Sequence, residues 1–176
     1  MINLYELTVE NYLRVLGATI AFMKKSELHF TEHEKDVNEI IKMRLAPDML
    51  PFFFQINSVR HHSLHATQAF FNGEFSPPKP LPETDFAGLV RVLEDAQAEL
   101  HDISAEEVNA RSGKTVTFKM GSTEIPFTTE NFAMSFSIPN LYFHATTTYD
   151  MLRMQGAPLG KTDFMGRLKI GAGELD

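Results

Sequence analysis

Apolar side chains recur every three to four residues in four long stretches of the chain, which is the spacing of amphipathic helices. The first stretch follows Thr8, a residue type that often caps helix N-termini. The second begins around Asp48 and Pro51, because proline is tolerated in the first turn of a helix. It extends to about Asn72, where Gly73 favours termination. The pattern therefore predicts two helices in the first half of the chain.

The second half of the chain carries the other two helical stretches. A proline-rich connector at 76–82 precedes them, and Thr84 or Asp85 is placed to cap the third helix. The last stretch covers 128–156, where Thr128 or Thr129 is placed to cap the helix and Pro139 interrupts it. Proline either kinks a helix or restarts it, and the sequence leaves both alternatives open.

Between the third and fourth helical stretches the hydrophobic period changes from about 3.6 residues to two. Thr115–Met120 and Thr123–Phe127 alternate in this way, and Gly121-Ser122 separates them as a two-residue turn. These features predict an all-α fold, an antiparallel four-helix bundle with a small β-hairpin inserted before the last long helix. We expect one domain over 1–176, with an irregular tail at 157–176.

Composition narrows the cellular setting and the partners. The chain has 176 residues and no cysteine, which excludes disulfides, thiolate zinc sites and cysteine nucleophiles. Its net charge of −7 opposes binding to nucleic acids and to anionic membranes. No apolar run approaches the roughly 20 residues of a membrane helix, and the first residues lack the pattern of a signal peptide. We therefore expect a cytoplasmic protein without nucleic-acid or membrane partners.

Three separated segments carry motifs: RLAPDM at 44–49, PNLYFHATTTY at 139–149 and GAPLGKTDF at 156–164. Together they resemble a bacterial family of unknown function within the DinB/YfiT-like superfamily. The resemblance implies a four-helix bundle and makes a homodimer plausible. It also implies, for many members, a metal held by three histidines, one on the second helix and an H-x-x-x-H pair on the fourth. Some members use that metal in thiol-dependent transfer or isomerisation.

The resemblance transfers this metal site to three residues of the chain. His62 matches the histidine of the second helix, and His144 matches the second histidine of the pair on the fourth. Asn140 stands where the first histidine of that pair is expected. Its neutral amide oxygen is a weak ligand for zinc or nickel. The resemblance therefore implies a divalent-metal site formed by His62, Asn140 and His144.

The histidines also have simpler interpretations. His144 shares a helical face with Leu141 and Leu152, so it is expected to point inward and to need a partner. That partner is a metal, a substrate proton, or a hydroxyl or carbonyl of the core. His61 and His65 are expected on the outward face of the second helix, where four-residue spacing suits a surface pair.

A further acidic residue and the absence of a hydrolase motif bear on the reactions that the chain could catalyse. Asp150 could orient a histidine by accepting its second ring proton. No G-x-S-x-G motif supports a serine hydrolase. The leading hypothesis is a divalent-metal or histidine-dependent enzyme acting on a small molecule in a cleft between the second and fourth helices. The alternatives are a non-catalytic homodimeric bundle and a small-ligand-binding protein with a degenerate metal site.

Overall fold

The structure is a computed structural model that describes residues 2–171 and 173–174. It is mostly helical with a small sheet, which confirms the coarse prediction. The helices are α1 (Leu4–Leu7), α2 (Val9–Glu32), α3 (Asn38–Ile41), α4 (Phe52–Arg60), α5 (Ala66–Asn72), α6 (Phe86–His101), α7 (Ala105–Asn109), α8 (Thr129–Phe132), α9 (Ile138–Met154) and α10 (Lys161–Met165). Two π-helical turns are π1 (His61–His65) and π2 (Ala133–Ser137). The strands are β1 (Glu74–Phe75), β2 (Thr115–Met120), β3 (Thr123–Thr128), β4 (Lys169–Ile170) and β5 (Gly173–Glu174).

Four long helices enclose one hydrophobic core. Helix α2 packs against α6 and α9, and α4 packs against the same two helices. Large side chains fill the space between them, and the biggest fully buried ones include Tyr12, Phe22, Phe52, Phe86 and Phe132. Burying each such ring removes apolar surface from water and contributes roughly 1.5–3 kcal/mol. None of the helices in the described part of the chain combines the length and apolar character that a membrane crossing requires.

The predicted caps are confirmed for α6 and α8, whereas Thr8 occupies the N-cap of α2 without a capping side-chain hydrogen bond. The Asp85 carboxylate accepts a hydrogen bond from the Gly88 amide at 2.7 Å, which identifies Asp85 as the cap of α6. Thr128 caps α8. The expected start at Asp48 is wrong, because Pro51 occupies the N-cap of α4 and Asp48 lies exposed in the preceding turn.

The two π turns each interrupt a long helix without ending it. In π1 the amide of Ala66 bonds to the carbonyl of His61, five residues earlier. In π2 the amide of Ile138 bonds in the same way to the carbonyl of Ala133. Pro139 then lies in the first turn of α9, where its missing N–H is tolerated. The helix therefore continues through Pro139, which directly follows the π2 turn, and does not restart there.

The predicted hairpin is present, and a third strand extends it. β2 and β3 pair antiparallel from Thr115↔Thr128 to Met120↔Thr123. β1 adds a parallel strand, with Phe75 opposite Phe118. A two-residue strand is too short for a hydrophobic period to show. Because β1 pairs with β2, the buried Phe75 ring lies beside the histidines of π1.

The segment expected to be an irregular tail contains regular elements. Helix α10 lies on α2, where the Lys25 ammonium contacts the Asp163 carboxylate at 2.9 Å. The Arg14 guanidinium also donates to the carbonyl of Met165 at 3.0 Å. β4 and β5 form a short antiparallel pair after α10. Residues 172, 175 and 176 of the expected tail lie outside the described residues.

Candidate ligand-binding cavity

A cavity of about 180 Å³ lies between the second and fourth long helices, and it brings His62, Asn140 and His144 together. Helix α4 and π1 form one side, and π2 and α9 form the other. Pro77 and Pro78 of the connector close a third side. The aromatic part of the wall consists of Phe54, Phe75, Phe118 and Phe136. The cavity is therefore a mainly aromatic space with a few polar groups facing it.

His144 is held in one tautomer by Gln55. The Gln55 side-chain amide donates to the carbonyl of Leu50 at 2.8 Å, so its Oε1 atom is left to accept. That oxygen lies 2.7 Å from Nδ1 of His144. Nδ1 must then carry the proton, because an amide oxygen can only accept. In the neutral ring, Nε2 of His144 consequently presents a lone pair.

Burial keeps His144 neutral. Removal from water lowers the pKa of His144 to about 4, since burial penalises the charged imidazolium. Asp150, which was expected as a possible orienting residue, is exposed, and Gln55 has that role instead. The sequence carried one signal for Gln55, a polar residue beside Ile56 on the inward stripe of α4. Gln55 is only 2% exposed, and a buried amide requires partners.

His62 is buried beside His144. It is 6% exposed, and its ring is nearly parallel to that of His144, with centroids 5.9 Å apart. Within the described residues its Nδ1 atom is buried and has no hydrogen-bond partner. Burial, followed by the charges of His61 and His144, lowers the pKa of His62 to about 3. His62 therefore faces the cavity as a second neutral imidazole.

The prediction that His61 lies on an outward face is wrong. His61 is 6% exposed, because β1 and the connector cover this side of π1. Its Nε2 atom donates to the carbonyl of Ser76 at 2.8 Å. Its Nδ1 atom lies 2.9 Å from Nδ1 of His65 and accepts from it. Both ring nitrogens of His61 are thus occupied, Nε2 by the connector and Nδ1 by His65.

Two further polar residues, Ser58 and Asn140, line the cavity. The Ser58 hydroxyl oxygen is buried and has no partner within the described part of the chain. Such a group costs roughly 1–3 kcal/mol if nothing binds it. Asn140 donates from Nδ2 to the carbonyl of Phe136 at 2.7 Å, which turns the amide and leaves Oδ1 as an acceptor. The sequence did not single out Ser58.

The polar residues do not fit the three-histidine metal site that the resemblance implies. No group of three or more His, Cys, Asp or Glu residues in the described ranges could hold a metal ion. His62 and His144 each offer a ring nitrogen without a partner among the described residues, whereas the Nδ1 atoms of His61 and His65 bond to each other. Asn140 supplies only a neutral amide oxygen. The metal site of His62, Asn140 and His144 therefore stays a prediction.

Comparisons with known proteins agree with this architecture. A family model described as "Domain of unknown function (DUF1993)" matches residues 4–165, so the chain belongs to that family. The structure is similar to the crystal structure of a DinB family member protein from Shewanella denitrificans, with a TM-score of 0.80 and 25% identity. The match covers 97% of this chain and 96% of that one. Among curated proteins, none matches the chain. The fold is therefore DinB-like, as the resemblance implied.

Proposed function

We propose that this protein binds a small molecule in the cavity between α4 and α9, with His144 as a fixed hydrogen-bond acceptor. One observation carries the proposal: Gln55 holds the proton of His144 on Nδ1, beside a cavity whose lining residues Ser58 and His62 each have a buried polar atom without a partner in the described structure. A buried polar group without a partner is destabilising. A ligand that bonds to Ser58 and His62 removes that penalty, so its binding is coupled to stability.

The low basicity of His144 favours binding over proton transfer. A general base works best when its pKa lies near the working pH. Burial lowers the pKa of His144 to about 4, so its lone pair accepts a hydrogen bond at neutral pH but gains little by taking the proton. A histidine-dependent enzyme would need a ligand that raises this pKa on binding.

A divalent-metal protein is the second candidate, and the Gln55 contact favours it. Metal-binding histidines are commonly oriented by a hydrogen bond from their second ring nitrogen. The bond from Nδ1 of His144 to Gln55 has that form. His62, Asn140 and His144 would hold the ion, with two imidazole nitrogens and one weakly binding amide oxygen in place of three histidines.

The experiment that separates the two candidates combines metal analysis with ligand titration. The protein, purified without tags or chelators, is compared with His144→Ala by elemental analysis. About one equivalent of zinc or nickel that disappears in the variant would favour the metal protein. In metal-free protein, saturable shifts of the His62 and His144 ring signals on adding small aromatic molecules would support the binding cavity. Absence of both would overturn the proposal.

The alternative of a non-catalytic homodimer rests on a different surface. Met134, Phe143 and Met154 are exposed along residues 129–154, and a second copy could cover them. Sedimentation of the wild type beside Phe143→Ser tests this prediction. A dimer that the substitution dissociates would support it, and a monomeric wild type would oppose it.

A further inference from the structure

We propose that the ligand is a flat, uncharged molecule about the size of one six-membered ring, with an N–H donor next to a hydrogen-bond acceptor. A cyclic amide has this chemistry. The inference rests on the proposed binding function and names the class of molecule that the cavity would take.

The volume of the cavity suits a ligand of about one ring. A core cavity of roughly 150 Å³ in another protein holds benzene, and the space here is about 180 Å³. The rings of Phe75, Phe118 and Phe136 lie within 6.4 Å of one another, centroid to centroid. Their faces and edges are suited to another flat ring.

The polar groups of the cavity require a ligand that carries a hydrogen-bond donor beside a hydrogen-bond acceptor. Nε2 of His144 presents a lone pair, so the ligand must donate to it. The Ser58 hydroxyl has no partner within the described residues, and it can donate to an acceptor on the ligand. His62 also lines the cavity, and its buried Nδ1 atom has no partner within the described residues; it either donates or accepts according to its tautomer.

The described lining of the cavity offers no counter-charge to a ligand, which excludes a strongly charged ligand. Among the described residues that line the cavity, none is Asp, Glu, Lys or Arg. A buried carboxylate or ammonium without a counter-charge costs several kcal/mol. The burial that keeps His62 and His144 neutral opposes a ligand cation for the same reason.

The test uses four probes of similar size on metal-free full-length protein. 2-Pyridone has the donor–acceptor edge, N-methyl-2-pyridone lacks the donor, benzoate carries a negative charge and benzylammonium a positive one. Dissociation constants are measured from the imidazole NMR signals of His62 and His144. We expect 2-pyridone to bind at least tenfold more tightly than each of the others.

Variants identify the groups that select the ligand. Ser58→Ala should weaken 2-pyridone binding about fivefold or more. Ser135→Ala, an exposed serine on the same helix as His144, should leave binding unchanged.

The outcomes separate this inference from the function on which it rests. Binding of any probe that shifts both histidines supports the cavity. If benzoate, benzylammonium or N-methyl-2-pyridone then equals or exceeds 2-pyridone, the proposed ligand class is wrong and the binding function stands. If no probe shifts either ring up to tens of millimolar, both proposals are overturned.

Discussion

The Ser137 hydroxyl donates a hydrogen bond of 2.8 Å to the backbone carbonyl of His62, 75 residues away in the sequence. The π1 turn makes this possible, because the Ala66 amide bonds to the carbonyls of His61 and Ser63 instead of that of His62. Ser137 itself accepts from the Tyr12 hydroxyl at 2.9 Å. Burial raises the pKa of Tyr12, so the phenol stays a donor. One chain of bonds thus joins three long helices behind the cavity.

Replacing Ser137 should destabilise the fold more than an ordinary serine substitution. Ser137→Ala leaves the buried Tyr12 hydroxyl without its acceptor and the His62 carbonyl without this donor. Each loss costs roughly 1–3 kcal/mol, so we expect urea unfolding to show a total loss of stability of at least about 2 kcal/mol. Ser135→Ala is the matched control, since its exposed hydroxyl bonds only to the Asn131 carbonyl of its own helix. Equal stability of the two variants would contradict the role of Ser137.

Gln55 should control both the stability and the tautomer of His144. Gln55→Ala leaves Nδ1–H of His144 and the carbonyl of Leu50 without partners, so we expect a loss of about 1–3 kcal/mol. ¹⁵N NMR of the ring should show the Nδ1–H tautomer in the wild type and a mixture in the variant. Gln68→Ala, a half-buried position after π1, should change neither property. A wild-type ring protonated on Nε2 would refute the geometry.

His144→Ala tests whether the ring contributes to packing as well as to binding. It removes the contact with Gln55 and leaves a void beside Phe54, whose ring lies 5.9 Å from that of His144. We expect a loss of about 1–3 kcal/mol and a lower melting temperature. His144→Gln, which retains a polar side chain of similar length, should lose less. An unchanged melting temperature for His144→Ala would show that the ring does not pack inward.

Stability should fall as the pH drops below about 6.5. The folded-state pKa values of His62 and His144 are lowered to about 3 and about 4 by burial. Between pH 6.5 and 4 the unfolded chain therefore binds protons that the folded chain does not. The stabilisation is complete above pH 6.5 and is lost on acidification, by roughly 2 kcal/mol per histidine between pH 7 and pH 5.

Urea unfolding at several pH values measures this slope. His62→Gln should reduce the change in unfolding free energy between pH 7 and pH 5 by the contribution of one histidine, roughly 2 kcal/mol. His101→Gln, at an exposed position, should leave it unchanged. A wild-type stability that is flat from pH 7 to pH 5 would show that the histidines are not held neutral by burial.

Ser58 and Ser63 should respond in opposite ways to the same substitution. Both are buried on one helix, but Ser63 donates to the carbonyl of Val59 at 2.7 Å, while the Ser58 hydroxyl has no partner in the described structure. In ligand-free protein, Ser58→Ala should be neutral or stabilising by about 1 kcal/mol. Ser63→Ala should be neutral or destabilising. Destabilisation by Ser58→Ala would indicate a partner for its hydroxyl.

Helix positions and caps could be predicted because their signals are local. The hydrophobic period, the caps at Asp85 and Thr128, and the turn at Gly121-Ser122 depend only on neighbouring residues. The inward position of His144 also followed from its helical face, since α9 is regular around it. These features required no knowledge of distant contacts.

The parts that could not be predicted depend on contacts between distant segments. The two-residue strand β1 exists because β2 is available to pair with it. The burial of His61 requires that strand and the connector, whose Ser76 carbonyl accepts from the ring. Gln55 acquires its role from Leu50 and His144 together. No pattern within a single helix contains this information.

Each π turn also changes how the surrounding helix tolerates insertion and deletion. A π turn accommodates an extra residue within a helix, and one residue corresponds to about 100° of rotation in a regular α-helix. Deleting one residue within π2 would repair the regular hydrogen-bond ladder. It would also turn Asn140 and His144 away from the cavity, or else turn α8 away from the core. The extra residue of π2 therefore sets the rotation between α8 and α9. In one continuous helix, α8 can face the core while Asn140 and His144 of α9 face the cavity.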